Sequence, residues 1–259
     1  MQTHEVLNQS TPLEDYNPAA YPVLREALER ADAGESLAEL DEVGALAGSS
    51  EALRWGDLAE RNVPRLHTHD RFGNRIDEVE YDPAYHSLME HATRFGLHGA
   101  PWASDDPNAH LVRAAKYSAW ITADAGHGCP ITMTYAAVPA LHADEELAAR
   151  YTPLLTARGY DPNLAYAPTK PGIIAGMSMT EKQGGSDVRA GTTEATPNGD
   201  GTYSLRGRSP DEEITRDMVL GRTEGEVPPD LVLCVADSTN LRLTIRLLLE
   251  LKNTGRPMA

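Results

Sequence analysis

Cysteine is nearly absent. Cys129 and Cys234 stand far apart with no Cys-x-x-Cys partner, so the sequence suggests neither a disulfide framework nor a zinc site. Aromatic residues make up 6%, with only two Phe; Ala and Leu take their place, and both favour helix. Basic residues are scarce as well: 23 Lys and Arg against 39 Asp and Glu leave a net charge of −16. Such a field repels nucleic-acid phosphates and anionic lipid at long range. No apolar run approaches the roughly 20 residues of a membrane-spanning helix. The opening Met-Gln-Thr-His-Glu lacks a basic stretch followed by an apolar one, so no signal peptide is expected and the expected compartment is the cytoplasm. Neither Gly-x-Gly-x-x-Gly nor a P-loop occurs. The nucleophile elbow Gly-x-Ser-x-Gly is missing too, which argues against reading Ser186-Asp187 as part of a hydrolase triad.

What is present is ordinary for a globular chain: 259 residues, 41% apolar and 24% charged, enough for one large domain or two smaller ones. Residues 1–19 read as an extended arm, because Thr11-Pro12 and Asn17-Pro18 disfavour helix before each proline. Apolar residues at helical spacing predict helices over 21–33, 35–47 and 51–61, the last with Ser49 or Ser50 as N-cap. Residues 62–81 break the pattern and read as a loop or short hairpin, with Phe72-Gly73-Asn74 at a turn. Asp82-Pro83 starts the next helix. Further helices are expected over 107–125, 131–141 and 144–155. Gly126 to Pro130 interrupts them, and Pro139 implies a kink or break. From about residue 158 the helical stripes vanish. Ile173 to Met179 reads as a buried strand, and Thr192 to Ala195 and Thr202 to Arg206 read as two more around the turn Pro197 to Gly201. Asp230 to Ala236 reads as one further strand.

Several residues invite a chemical reading and are more simply structural. His67-x-His69 and His127-x-Cys129 lack the further ligands a metal needs, so no metal ligand is expected. Asp77, Glu78 and Glu80 lie in a run that is polar throughout and read as a solvated face. Trp55, Trp102 and Trp120 sit among apolar positions and read as core.

The informative stretch is Met179-Thr180-Glu181-Lys182-Gln183-Gly184-Gly185-Ser186-Asp187-Val188. Hydroxyls flank a Gly-Gly pair whose backbone can approach a flat or anionic ligand, and its N–H groups can hold phosphate. From the residues alone it is a ligand loop or a surface turn. The stretch resembles the flavin-contacting loop of the acyl-CoA dehydrogenases, Thr-Glu-Pro-x-x-Gly-Ser-Asp. With Lys182 in place of Pro, it is the form of the alkylation-response, AidB-like branch. Thr3 to Val6, Arg75 to Glu80, Pro83 to His86, Gly126 to Pro130 and Ala136 to Leu141 resemble that branch in the same order, so the likeness spans about residues 3–207.

The resemblance implies an α+β architecture. An all-helical N-terminal domain over 1–165 precedes a partial antiparallel β domain over 166–237 of the acyl-CoA dehydrogenase middle type and a divergent tail over 238–259; the family's C-terminal helical domain is missing. It implies FAD as cofactor, contacted by Met179, Thr180, Gly184, Gly185, Ser186, Asp187 and Val188. Thr180 would bond the polar edge of the flavin ring and Ser186 the pyrophosphate. It also implies an acyl-CoA-like small molecule as substrate and homo-oligomer contacts through the helical regions. Beyond Arg206 the family pattern Gly-His-Lys-Trp-Phe gives way to Gly207-Arg208-Ser209-Pro210. The family's catalytic glutamate and its DNA-binding surface lie in the missing domain, so no catalytic residue is assigned, and the acidic charge argues against DNA binding by this chain alone. Alternatives are a non-enzymatic stress-response or DNA-protection protein and an inactive fragment.

Overall fold

Proline and capping residues set where the helices begin. In this computed structural model the described residues are Thr3, 13–177, 180–181, 185–197 and 203–206. Helix α1 is Pro22–Arg30, α2 Leu37–Ala47 and α3 Ser50–Arg61. The Ser49 side chain accepts from the N–H of Ala52 at 3.1 Å, the cap expected from the sequence. After the hairpin of β1 (Arg65–His69) and β2 (Arg75–Glu80), helix α4 (Pro83–Arg94) opens on Asp82, whose carboxylate accepts from Ala84 N at 2.8 Å. Helices α5 (Ala109–Trp120), α6 (Gly128–Leu141) and α7 (Glu145–Thr156) follow. Strands β3 (Glu194–Pro197) and β4 (Tyr203–Arg206) pair antiparallel, with Glu194 opposite Arg206.

The chain divides into two compact units, Met1–Met177 and Ser178–Ala259. The first is helical apart from its hairpin. Its core gathers residues from six helices: Leu28 of α1, Leu40 and Val43 of α2, Ala52 of α3, Leu88 and Met89 of α4, Trp120 of α5 and Ile131 of α6. Each of the larger side chains stabilises the fold by about 1.5–3 kcal/mol relative to exposure. Close approach between elements depends on Gly56 in α3. A Cβ there would lie 2.2 Å from the Ala123 carbonyl oxygen, so only glycine lets α3 pass the end of α5.

Several expectations need correcting. The helix expected over 107–125 ends at Trp120, and 121–123 form a turn. Gly126 and His127 do interrupt the helices, but Gly128, Cys129 and Pro130 already belong to the first turn of α6, where a missing N–H costs nothing. Pro139 does not break α6: the Tyr135 carbonyl that its missing N–H leaves free accepts instead from Trp102 Nε1–H at 2.9 Å. Residues 173–177 are not a strand. Ile173 N donates instead to Leu154 O at 3.1 Å and Ala175 N to Thr134 Oγ1 at 2.9 Å, so this segment satisfies its amides on helices α6 and α7. Trp102 is not core: it is 36% exposed, and its Nε1–H donates to Tyr135 O. Ser178, Met179, the turn at 198–202, the strand expected over 230–236 and the tail over 238–259 lie outside the described residues.

Candidate functional site

The loop that carries the sequence signature is organised by a carboxylate. Glu181 accepts from the backbone N–H of Thr192 at 2.7 Å and of Thr193 at 2.6 Å, and from the Thr192 hydroxyl at 3.3 Å. Hydrogen bonds from Thr193 and Thr192 hold its pKa down at about 2. The clasp ties the start of the loop to the residues just before β3. Between them Val188–Ala190 make one 3-10 turn, closed by Ala190 N to Asp187 O and Gly191 N to Val188 O, both 3.1 Å.

Of the residues expected to hold the flavin, Met179 and Gly184 lie outside the described residues. Thr180, Gly185, Ser186, Asp187 and Val188 lie in this one loop and are exposed. Among the described residues, a Cβ on Gly185 would meet nothing nearer than the Thr180 methyl at 3.8 Å, which leaves room on that side for a flat ligand. Two hydroxyls and an open glycine backbone are donors of the kind that a flavin's polar edge and pyrophosphate require, and the exposed Val188 side chain adds an apolar surface beside them. The residues present fit that group. Glu181 was not among the expected contacts. Its signal was the run Thr192-Thr193 eleven residues on, which alone does not announce a clasp.

The helical unit has two further concavities. One, of about 420 Å³, lies between α6, α7 and the extended segment that runs to Met177; Ala137, Leu141, Leu155, Ile174 and Met177 line it. The other, of about 340 Å³, lies beside Tyr81, Tyr85, His86 and Tyr160. Tyr81 and Tyr85 stack at 4.4 Å, and the Tyr160 hydroxyl and His86 Nδ1 are 2.8 Å apart. Burial pushes the Tyr85 hydroxyl up to about 12 and raises Tyr160 as well, so both remain protonated donors. Burial lowers the pKa of His86, which leaves its ring neutral and able to accept from Tyr160.

The histidine pairs singled out in the sequence go separate ways. His67 bonds Glu80 at 2.7 Å on the exposed hairpin. His127 is buried and donates Nδ1–H to Asp124 at 2.8 Å; this bond and the one from the His127 backbone N–H hold the Asp124 pKa below its ordinary value, against the effect of burial. Cys129 is exposed. Asp77, Glu78 and Glu80 are exposed.

Comparison with known proteins gives these observations a family. The sequence model described as Adaptive response protein AidB N-terminal domain matches residues 8–162. The acyl-CoA dehydrogenase AidB of Escherichia coli (strain K12) is 41% identical over 212 residues, 80% of this chain and 39% of that protein. Acyl-CoA dehydrogenase family member 11 of Caenorhabditis elegans is 30% identical over 61% of this chain and 26% of its own length. Among solved structures, the apo-form of Bd2924 superposes with a TM-score of 0.64 at 29% identity, covering 78% of this chain and 41% of that one. ACDH-11 of Caenorhabditis elegans in complex with C11-CoA gives 0.62 at 26% identity, covering 80% and 36%. The chain thus spans about two fifths of the AidB relative and a quarter of the worm protein. Residues 171–259 also match the model described as Ferrous iron transport protein B, over about a third of the chain; among the described residues no group of three or more His, Cys, Asp or Glu could hold a metal ion. The match over 8–162 covers more than half of the sequence, and the order of motifs, the helical fold and the identity to AidB agree with it: the chain belongs to the AidB-like branch of the acyl-CoA dehydrogenase family.

Proposed function

We propose that this chain is the FAD-binding front part of an acyl-CoA dehydrogenase-type oxidoreductase of the alkylation-response branch. The observation that carries the reading is the clasped loop. Glu181 fixes the backbone of Thr192 and Thr193, and the loop it ties exposes Thr180, Gly185, Ser186, Asp187 and Val188 to solvent. In a flavoprotein the redox chemistry belongs to the bound cofactor, which accepts a hydride equivalent from the substrate. The protein's residues position it. Thr180 offers a hydroxyl to the ring's polar edge, Ser186 offers one to the pyrophosphate, and the open glycine backbone lets both approach. Met179 and Gly184 complete the set in this proposal. The acyl-CoA seen with ACDH-11 suggests the substrate class, and the apolar cleft that ends at Met177 is the wall of the helical unit suited to its hydrocarbon chain.

A fluorescence titration of FAD tests this. Wild-type chain is expected to quench the flavin, and Thr180→Val and Ser186→Ala are each expected to weaken binding by about five- to thirtyfold, the loss of one hydrogen bond at about 1–2 kcal/mol. Saturable binding that both variants leave unchanged would remove the loop from the site.

A further inference from the structure

The concavity of about 340 Å³ beside Tyr81 and Tyr160 belongs wholly to the helical unit and has no part in the proposed flavin site. Its volume is at the lower end for ligand pockets, which suits a small ring-bearing molecule rather than a nucleotide cofactor.

One wall is aromatic. Tyr81 and Tyr85 stack with ring centroids 4.4 Å apart, and His86 stands edge-on to both at 5.9 and 5.8 Å. The bond between the Tyr160 hydroxyl and His86 Nδ1 holds that ring in place. Met89, Ile173 and Ile174 add apolar lining. A flat ring is the group such a wall takes best, because aromatic pairs gain more than the area they bury.

The same cavity is lined by two opposite charges, Asp161 and Lys170, and one residue braces both. Asp161 Oδ1 accepts from Asn163 N at 2.9 Å and from Asn163 Nδ2 at 2.7 Å, while Lys170 Nζ donates to Asn163 O at 2.9 Å. Among the described residues Asp161 and Lys170 form no ion pair with each other. Held apart by Asn163, Lys170 keeps N–H donors and Asp161 keeps Oδ2 for a further partner. The bonds from Asn163 and the nearby Lys170 ammonium hold the Asp161 pKa below its ordinary value, against the effect of burial, so the carboxylate is ionised at neutral pH.

Charge then selects the ligand. A plain anion would meet Lys170 but also Asp161, inside the field of a chain with net charge −16. A plain cation would meet Asp161 and face Lys170. A molecule with one charge of each sign satisfies both groups and is neutral overall.

We propose that this cavity binds a free aromatic α-amino acid, with its ring on the tyrosine wall, its carboxylate on Lys170 and its ammonium on Asp161. The site is independent of the flavin loop.

Calorimetric titration of the full chain with L-phenylalanine is the test. Saturable binding is expected, with a dissociation constant below about 1 mM. Three truncated ligands probe the contacts one by one: 3-phenylpropanoate lacks the ammonium, phenylalanine methyl ester lacks the carboxylate charge and L-alanine lacks the ring. Each is expected to bind at least about tenfold more weakly than L-phenylalanine, and Asp161→Asn and Lys170→Met are expected to weaken L-phenylalanine binding by about as much, the loss of one charge-assisted contact. Both side chains are only half-buried, so far-UV circular dichroism should match wild type. If a variant misfolds, the truncated ligands test the same contacts on the native chain. L-phenylalanine binding that is absent or weaker than about 1 mM, truncated ligands that bind as tightly, or folded variants that bind unchanged overturn the proposal.

Discussion

His98 is fully buried, with its Nε2–H on the Ala157 carbonyl at 2.8 Å and its Nδ1 without a partner among the described residues. Burial lowers its pKa, and the nearby Arg158 and Arg113 lower it further against the bond to Ala157. The folded state thus holds this ring neutral while the unfolded chain takes up a proton near the ordinary value of 6.5. Its contribution to stability is present above that pH and is lost as pH falls through 6.5 toward the depressed folded value, at up to about 1.4 kcal/mol per unit. Urea titrations at pH 7.5 and 5.5 should show the loss, and His98→Gln should flatten it. Lys116, in α5, is another buried ionisable group. Its ammonium donates to Glu39 at 2.7 Å and to Phe95 O at 2.9 Å, while burial lowers its pKa. Glu39→Ala strands that charge and is expected to cost about 1–2 kcal/mol, discounted because Glu39 is partly exposed. Lys116→Met, which removes the charge itself, is expected to cost less in the same denaturation assay. Neither group was singled out in the sequence, where a histidine and a lysine in helical surroundings look like any solvated pair.

Helix starts were the most legible elements, because their cause is local. Ser49, Asp82-Pro83 and Asp144 place the N-termini of α3, α4 and α7 from two or three residues each. Asp82→Ala removes the cap on Ala84 and the bond to the Asn62 side chain; it is expected to lower stability by about 1 kcal/mol in thermal melts. Elements defined by distant partners were less legible. Ile173 to Met177 has the apolar texture of a strand, yet Leu154 and Thr134 take up its amides. No local pattern shows that a helix hydroxyl will stand where a neighbouring strand was expected. Gly56 is similar: in sequence it is a poor helix residue, and only the fold puts Ala123 O against it. Gly56→Ala, favourable for an isolated helix, is expected to destabilise by about 1–3 kcal/mol because α3 must move away. A rise in melting temperature would show that the two segments can separate freely.

At the scale of the molecule, the change of texture near residue 158 led to an expected boundary at 165 and 166, whereas the compact units divide at Met177 and Ser178. The likeness to AidB explains why the motif loop was legible without any geometry: its residues are contiguous, and chemistry fixes their types. Its clasp was not, because Glu181 and Thr192 become neighbours only once the backbone returns. The membership covers the fold and the order of motifs, while flavin binding is what the loop geometry leads us to propose. The visible spectrum of the purified chain after gel filtration, with and without added FAD, tests that most directly. Flavin bands that elute with the protein, and that weaken with Thr180→Val or Ser186→Ala, are the predicted result. A folded chain that elutes colourless after incubation with excess FAD would contradict it.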